Sequence, residues 1–165
     1  MPIRVGIGQD SHRFSRDPAS RLILGGIEIG GVPGLVANSD GDPVFHALCN
    51  ALATVTGFRV LGPYADLLCR EQGVTDSSIF LTEAVSRLDA YRITSVSIAV
   101  ECKRPHLEEH LEAMKARVSE LLKVDAGLVV ITVTSGDELT PFGEGRGIQA
   151  FAAVTAIHKG LWGEK

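Results

Sequence analysis

The feature that most constrains the fold is an alternation of short apolar runs with longer amphipathic segments. Four runs have the length and pattern of strands, at residues 5–9, 21–29, 93–101 and 129–135. We expect the first two of these strands to pair with each other. A closing apolar run at residues 148–157 suits a buried strand or a buried helix by its periodicity, and we favour a strand.

Three further segments have the period of helices, and their predicted bounds are residues 43–56, 76 to about 91, and 107–123. Pro43 supports the first start, because proline at the first helical position loses no hydrogen bond, and Asp76 is a typical N-cap for the second. The expected buried faces comprise Ile79, Leu81, Ala84, Val85 and Leu88 in the second helix, and Leu111, Met114, Val118, Leu121 and Leu122 in the third. Helices packed on a sheet predict an α+β or α/β sandwich.

Composition limits the class of protein. A chain of 165 residues with 45% hydrophobic content can build one core, so we expect a single domain over residues 1–165. A net charge of −4 argues against nucleic-acid binding. Without an apolar run of signal-peptide or membrane-span length, we expect a cytoplasmic protein with no membrane partner. Three cysteines without C-x-x-C spacing predict buried free thiols.

A carboxylate and two imidazoles are spaced to share one metal ion. Asp10 and His12 are two residues apart and face the same side of a strand, and His46 lies one turn into the first helix. Each alone has an ordinary alternative, as a strand-end acid or a hydrogen-bonded histidine. Asp42 has two readings as well: it caps the helix, or it accepts a hydrogen bond from the second ring nitrogen of His46.

Several motifs together are more specific than this spacing. They are Asp10-Ser11-His12, the Ala-Asn-Ser-Asp-Gly-Asp segment at residues 37–42 followed by His46-Ala47-Leu48, the Thr75-Asp76-Ser77 helix start, and the closing Thr134-Ser135-Gly136-Asp137 with Gly145-Arg146-Gly147-Ile148. Over nearly its full length the chain resembles the 2-C-methyl-D-erythritol 2,4-cyclodiphosphate synthase family of the non-mevalonate isoprenoid pathway. The resemblance implies an α+β sandwich with a mixed sheet, assembled as a homotrimer with active sites between subunits.

The resemblance also implies a site with two metals and a cytidine diphosphate-linked substrate that is cyclised with release of CMP. Zinc is expected on Asp10, His12 and His46, and a second cation, Mg²⁺ or Mn²⁺, on Asp137 or its neighbour Glu138. The matching substrate-binding positions are Asp10, Ser11, His12, Asn38, Ser39, Val60, Leu61, Gly62, Thr134, Ser135, Gly136 and Asp137. Asn38 and Ser135 match the positions that stabilise the transition state.

The chain departs from the family pattern at some of these positions. Asn38 replaces a common histidine, Val60 replaces an aspartate that holds the ribose, and Asp137 is one methylene shorter than the usual glutamate. Glu144 and Arg146 stand in the opposite order from the common pattern. Two rival functions therefore stay open: a zinc hydrolase with Asp42 as its general base, and a trimeric metal-dependent binding protein without turnover.

Overall fold

The computed structural model describes residues 2–161 as four helices and six strands. The strands are β1 (Ile3–Arg13), β2 (Leu22–Leu24), β3 (Ile27–Ile29), β4 (Tyr91–Glu101), β5 (Val129–Thr134) and β6 (Gly147–His158). The helices are α1 (Pro43–Thr56), α2 (Pro63–Gln72), α3 (Ser77–Ser86) and α4 (Leu111–Leu122). Short 3₁₀ turns lie at Glu108–His110, Ala126–Leu128, Gly136–Glu138 and Lys159–Leu161. None of the helices within these residues is both long and apolar enough to cross a membrane.

Four of the strands form one mixed sheet in the order β1-β6-β4-β5. β6 is antiparallel to both of its neighbours, whereas β4 and β5 are parallel. The favoured strand at residues 148–157 is therefore confirmed, since β6 is a central strand whose alternate side chains are buried. The mixed sheet with its helices confirms the α+β class.

The expected pairing of the first two strands is wrong. Residues 21–29 do not form one strand but a separate two-stranded hairpin of β2 and β3, which turns at Gly25 and Gly26. Both glycines have positive φ (+59° and +75°), a conformation that interrupts an extended strand. β1 pairs instead with β6, from the far end of the chain.

Helix α1 has the predicted bounds because its two ends are chemically defined. The Asp42 carboxylate accepts hydrogen bonds from the backbone N–H groups of Val44 (2.9 Å) and Phe45 (3.2 Å). At the other end Gly57 takes the left-handed conformation (φ +81°) and its N–H donates to the Ala53 carbonyl. The prediction that Asp42 is the N-cap of this helix is thus confirmed.

The other helices differ from expectation in detail. α3 begins after its Asp76 cap but ends at Ser86, five residues before β4 begins at Tyr91. On its expected buried face Leu81, Ala84 and Leu88 are buried, Val85 is half-buried and Ile79 is 46% exposed. The third predicted helix is α4 preceded by a 3₁₀ turn; Met114, Val118 and Leu122 are buried, and Leu111 and Leu121 are half-buried. α2 was not predicted, because it buries only Ala65.

α1 lies unusually close to β1. A Cβ atom added to Gly6 would lie 2.0 Å from the Ala51 carbonyl oxygen, and one added to Gly8 would lie 2.0 Å from the Ala47 oxygen. Only glycine permits this approach of backbone to backbone. The opposite face of the sheet carries exposed apolar side chains: Ile3, Val5, Ile7, Val130 and Phe151.

All three cysteines are free, as expected. Cys49 and Cys102 are buried, and burial raises the pKa of the Cys102 thiol to about 11. The prediction of buried thiols is wrong for Cys69, which is only half-buried.

Candidate metal centre

β1 and α1 bring the three predicted ligands together. Asp10 Oδ2 lies 2.8 Å from His12 Nε2 and 2.9 Å from His46 Nδ1. The two imidazole nitrogens are 3.3 Å apart. Within residues 2–161 this is the one group of three or more acidic, histidine or cysteine side chains close enough to share an ion. The expected juxtaposition of Asp10, His12 and His46 is therefore present.

The donor set fits zinc. Ligand atoms of a tetrahedral site with bonds of about 2.0–2.1 Å lie about 3.3 Å apart, which matches the separation of the two imidazole nitrogens. The two distances to the carboxylate are slightly shorter and need only a small expansion. Two imidazoles and one carboxylate leave a fourth position for a water or substrate oxygen, as in catalytic zinc sites.

The electrostatics of the cluster favour a bound cation. Burial by itself would raise the pKa of Asp10, but hydrogen bonds and charge interactions with His12 and His46 outweigh it and hold that pKa far below its usual range. Burial opposes the charged form of His12, yet the Asp10 carboxylate raises the pKa of this imidazole. An ionised carboxylate between two imidazoles attracts positive charge, whether a proton or a metal ion.

Asp42 does not orient the His46 ring. One of its oxygens caps α1 and the other accepts a hydrogen bond from the Gly26 backbone at 2.7 Å. Its carboxylate is fully buried, which raises its pKa to about 6 despite these hydrogen bonds. The second nitrogen of His46, Nε2, lies instead 2.9 Å from Ser77 Oγ. Asp42 is therefore poorly placed to act as the base of a zinc hydrolase.

A cavity of about 420 Å³ opens beside the three ligands. Its lining includes the predicted substrate positions Asn38, Ser39, Leu61 and Gly62. Residues that the sequence interpretation did not assign complete the wall: Val36, Ala37, Ala65, Asp66, Cys69 and Phe80. Three of these belong to α2, which Pro63 at its first position and Gly73 just after its last could have indicated. The Val60 side chain is fully buried in the core, so only the backbone of this residue is able to contact a ligand.

Ser11 lies in β1 between Asp10 and His12, whereas the remaining predicted positions lie at the other edge of the sheet. Thr134 ends β5, and Ser135, Gly136 and Asp137 follow it in a 3₁₀ turn. The strand registers align Ser11 with Thr134 through β6 and β4, so both groups lie at the same end of the sheet. Three strand spacings separate them, roughly 14 Å. Within one chain the two groups therefore form two half-sites.

The turn after β5 is fixed by local contacts. Asp137 and Glu138 both have positive φ (+47° and +61°). Glu138 forms an ion pair with Lys103, which lowers the pKa of that exposed carboxyl. The Thr140 hydroxyl donates to the Glu101 carboxylate and so ties the following loop to the end of β4. Because Glu138 is engaged with Lys103, Asp137 is the better candidate for a second cation.

Comparison with known sequences places this geometry in a family. The sequence profile of the YgbB family matches residues 3–157. The 2-C-methyl-D-erythritol 2,4-cyclodiphosphate synthase of Chlamydia trachomatis serovar L2 is 47% identical over 156 residues, which cover 93% of this chain and 88% of the relative. The synthase of Chlamydia felis is also 47% identical over 156 residues, with coverage of 93% and 89%.

Solved structures agree with the sequence relatives. The crystal structure of the same synthase from Plasmodium vivax has a TM-score of 0.80 at 26% identity and covers 94% of this chain and 98% of its own. IspF of Plasmodium falciparum, solved as a CDP complex, also has a TM-score of 0.80 at 26% identity, with coverage of 95% and 97%. The chain therefore belongs to the YgbB family, whose relatives named above are 2-C-methyl-D-erythritol 2,4-cyclodiphosphate synthases.

Proposed function

We propose that this chain is a metal-dependent lyase that converts 4-diphosphocytidyl-2-C-methyl-D-erythritol 2-phosphate into 2-C-methyl-D-erythritol 2,4-cyclodiphosphate and CMP. This reaction belongs to the non-mevalonate isoprenoid pathway. The observation that carries the proposal is the cluster of Asp10, His12 and His46 beside a cavity, in a chain that is 47% identical to synthases of this name.

The proposed metals are zinc on Asp10, His12 and His46, and Mg²⁺ or Mn²⁺ on Asp137, one of each per active site. When bound, the two cations neutralise phosphate charge and polarise phosphorus–oxygen bonds. The donor chemistry supports each choice, because imidazole suits zinc whereas a lone exposed carboxylate suits a hard cation that keeps several waters.

The reaction needs no protein nucleophile, since one phosphate of the substrate attacks another. An oxygen of the 2-phosphate bonds to the β-phosphorus, the bond from that phosphorus to the oxygen of the CMP phosphate breaks, and CMP departs. The protein's task is to hold the two phosphate arms in line and to donate hydrogen bonds to their oxygens. We assign that donation to Asn38 and Ser135, as catalytic residues, and phosphate binding to Ser11, Ser39, Thr134 and Gly136.

The nucleotide half of the substrate is assigned to the cavity wall formed by residues 60–62. Leu61 and Gly62 line the cavity, and Val60 is able to contribute only its backbone. Backbone N–H and C=O groups at this point would bind ribose without the carboxylate that Val60 replaces. The CDP complex of the Plasmodium falciparum relative supports a cytidine diphosphate-linked substrate.

We further propose a homotrimer in which each active site combines the metal cluster of one chain with the Thr134–Asp137 group of the next. The two groups lie on opposite edges of the sheet, roughly 14 Å apart in one chain. A neighbouring subunit could bring them together. The exposed apolar face with Ile3, Val5 and Ile7 gives such an assembly a surface to bury.

Two broader assignments complete the proposal. The YgbB match over residues 3–157 supports one domain spanning residues 1–165. Three free cysteines are typical of a reducing compartment and support the cytoplasm as the working location.

Phosphorus NMR of the purified protein with the proposed substrate and Mg²⁺ tests the function directly. Metal-loaded protein should produce CMP and a cyclic diphosphate without free phosphate, and protein stripped by a chelator should leave the substrate intact until zinc is restored. Release of inorganic phosphate would indicate a hydrolase. An intact substrate with zinc still bound would indicate a binding protein.

A further inference from the structure

Behind the metal cluster, His46 is connected to a buried hydroxyl and a carboxylate. Its Nε2 lies 2.9 Å from Ser77 Oγ, on the side of the ring away from Asp10 and His12. The Ser77 hydroxyl in turn donates to Asp40 Oδ1, and the Ser77 backbone N–H donates to Asp40 Oδ2 at 3.0 Å. Ser77 is fully buried, so its hydrogen bonds are made within the protein.

The hydrogen atoms along this chain of contacts have one consistent arrangement. A carboxylate can only accept, so the single hydrogen of the Ser77 hydroxyl points to Asp40. The Ser77 oxygen must then accept from His46, which places a hydrogen on Nε2. In the neutral ring the other nitrogen, Nδ1, then carries the lone pair, and a metal ion can take the place of the hydrogen through which Nδ1 contacts Asp10.

We propose that Asp40 and Ser77 are positioning residues that fix the Nε2–H tautomer and the ring orientation of His46, so that Nδ1 is presented as a metal ligand. The inference rests on the proposed metal site. Without the Ser77 oxygen, Nε2 keeps only the more distant Ser39 hydroxyl, 3.4 Å away, and the ring can place its hydrogen on Nδ1, toward the Asp10 carboxylate at 2.9 Å. That hydrogen would occupy the ligand position.

The relay formed by Asp40, Ser77 and His46 is itself held in place by backbone hydrogen bonds. Asp40 receives a hydrogen bond from the Asp42 backbone N–H at 3.2 Å and donates its own N–H to the Thr75 carbonyl at 2.7 Å. It therefore joins the segment before α1 to the segment before α3. The orientation of the His46 ring therefore depends on the starts of both α1 and α3. The imidazole of His12 is held in a similar way by a hydrogen bond to the Val36 backbone.

The first test measures zinc affinity by competition with a chromogenic chelator. Ser77→Ala and Asp40→Asn should each weaken zinc binding about 10- to 100-fold and change the visible spectrum of the cobalt-substituted protein. Ser78→Ala is the matched control, because Ser78 is the next residue of the same helix turn and its side chain has no role in the relay. Unchanged zinc affinity in both relay variants would overturn the proposal.

The second test needs no metal and therefore separates the relay from the proposed function. Nitrogen-15 NMR of the metal-free protein in alkaline buffer should show His46 as the Nε2–H tautomer, and Ser77→Ala should shift it toward Nδ1–H. That result would support the relay whether or not the unaltered chain binds zinc. A failure to bind zinc would refute only the proposed metal site. An Nδ1–H tautomer in the unaltered protein would refute the relay. Thermal unfolding of Asp40→Asn and Ser77→Ala checks that both variants fold.

Discussion

At the scale of single residues, the sequence predicts the ligands of the site better than their supports. Asp10 and His12 are two apart on a strand, and a period of two places both on one face whatever the strand pairs with. The contacts of Ser77 with His46 and with Asp40 join residues 31 and 37 positions apart, and no local pattern indicates them. Caps and periodicity are local signals, whereas supports of a site are tertiary contacts.

Replacing His46 by alanine should abolish both zinc binding and cyclisation, because a carboxylate and one imidazole form too weak a site. Metal analysis of the purified variant and the phosphorus NMR assay measure the two losses. His110→Ala is the control, since His110 lies outside the cluster next to Glu109. Full activity in a zinc-free His46→Ala variant would refute the proposed role.

The buried Asp42 carboxylate should make folding depend on pH in an identifiable window. Burial raises its pKa from 3.8 to about 6, so between these values the folded protein holds a proton that the unfolded chain lacks. Its contribution to the free energy of unfolding is complete below about pH 4 and falls by about 2–3 kcal/mol as pH rises to about 6.

Urea unfolding of Asp42→Asn across this range checks the prediction, because the amide does not titrate and the Asp42 component should disappear. Asp76→Asn, at the exposed cap of α3, provides a matched control. An identical pH dependence in Asp42→Asn and the unaltered protein would contradict the prediction.

At the scale of secondary-structure elements, prediction is most accurate where signals at both ends of a helix flank a long buried face. α1 has Asp42 and Pro43 at its start and Gly57 at its end, and its predicted bounds are correct. The stretch at residues 21–29 is continuous in hydrophobicity, so the turn at its two glycines was missed. α2 also has proline and glycine at its ends, Pro63 and Gly73, but its apolar stripe of Ala65, Leu68 and Cys69 is short and only Ala65 is buried, so its periodicity is a weak signal.

The close packing of α1 on β1 should make Gly8 sensitive to the smallest side chain. Gly8→Ala places a methyl group 2.0 Å from the Ala47 carbonyl oxygen, so the helix must move, at a cost of about 1–3 kcal/mol. Zinc affinity should fall as well, because α1 carries His46. Chemical denaturation and zinc titration measure both effects.

Gly30→Ala is the matched control for this change. A Cβ atom at Gly30 would meet nothing within 4 Å. Equal stability and zinc affinity for the Gly8 and Gly30 variants would show that α1 adjusts to the added methyl without cost.

At the scale of the whole molecule, the strand order determines how the site is divided. The order β1-β6-β4-β5 puts the metal cluster on one edge and the Thr134–Asp137 group on the other. Strand order depends on pairings between distant parts of the chain, such as Ile3 with Ile157, and local patterns do not specify them. The resemblance to a known family supplied the expected assembly, which remains a proposal.

A charged side chain on the uncovered sheet face should prevent trimer formation. Ile7 is 68% exposed, and Ile7→Asp would bury a carboxylate in the proposed interface. We expect a folded monomer with little cyclase activity, measured by light scattering after size-exclusion chromatography. Ile79→Asp, at an apolar residue of α3 that is 46% exposed, should leave the assembly intact. A monomer for the unaltered protein would refute the trimer itself.

The weak docking of α2 has a consequence for motion. This helix forms part of the cavity wall, yet Ala65 is its one buried residue, whereas α1 has ten. Elements with few buried contacts open at the lowest free-energy cost, so amide hydrogens of α2 should exchange with solvent faster than those of α1. A nucleotide bound in the cavity should slow that exchange. Substrate would then enter, and CMP leave, through a wall that opens while the metal ligands stay fixed.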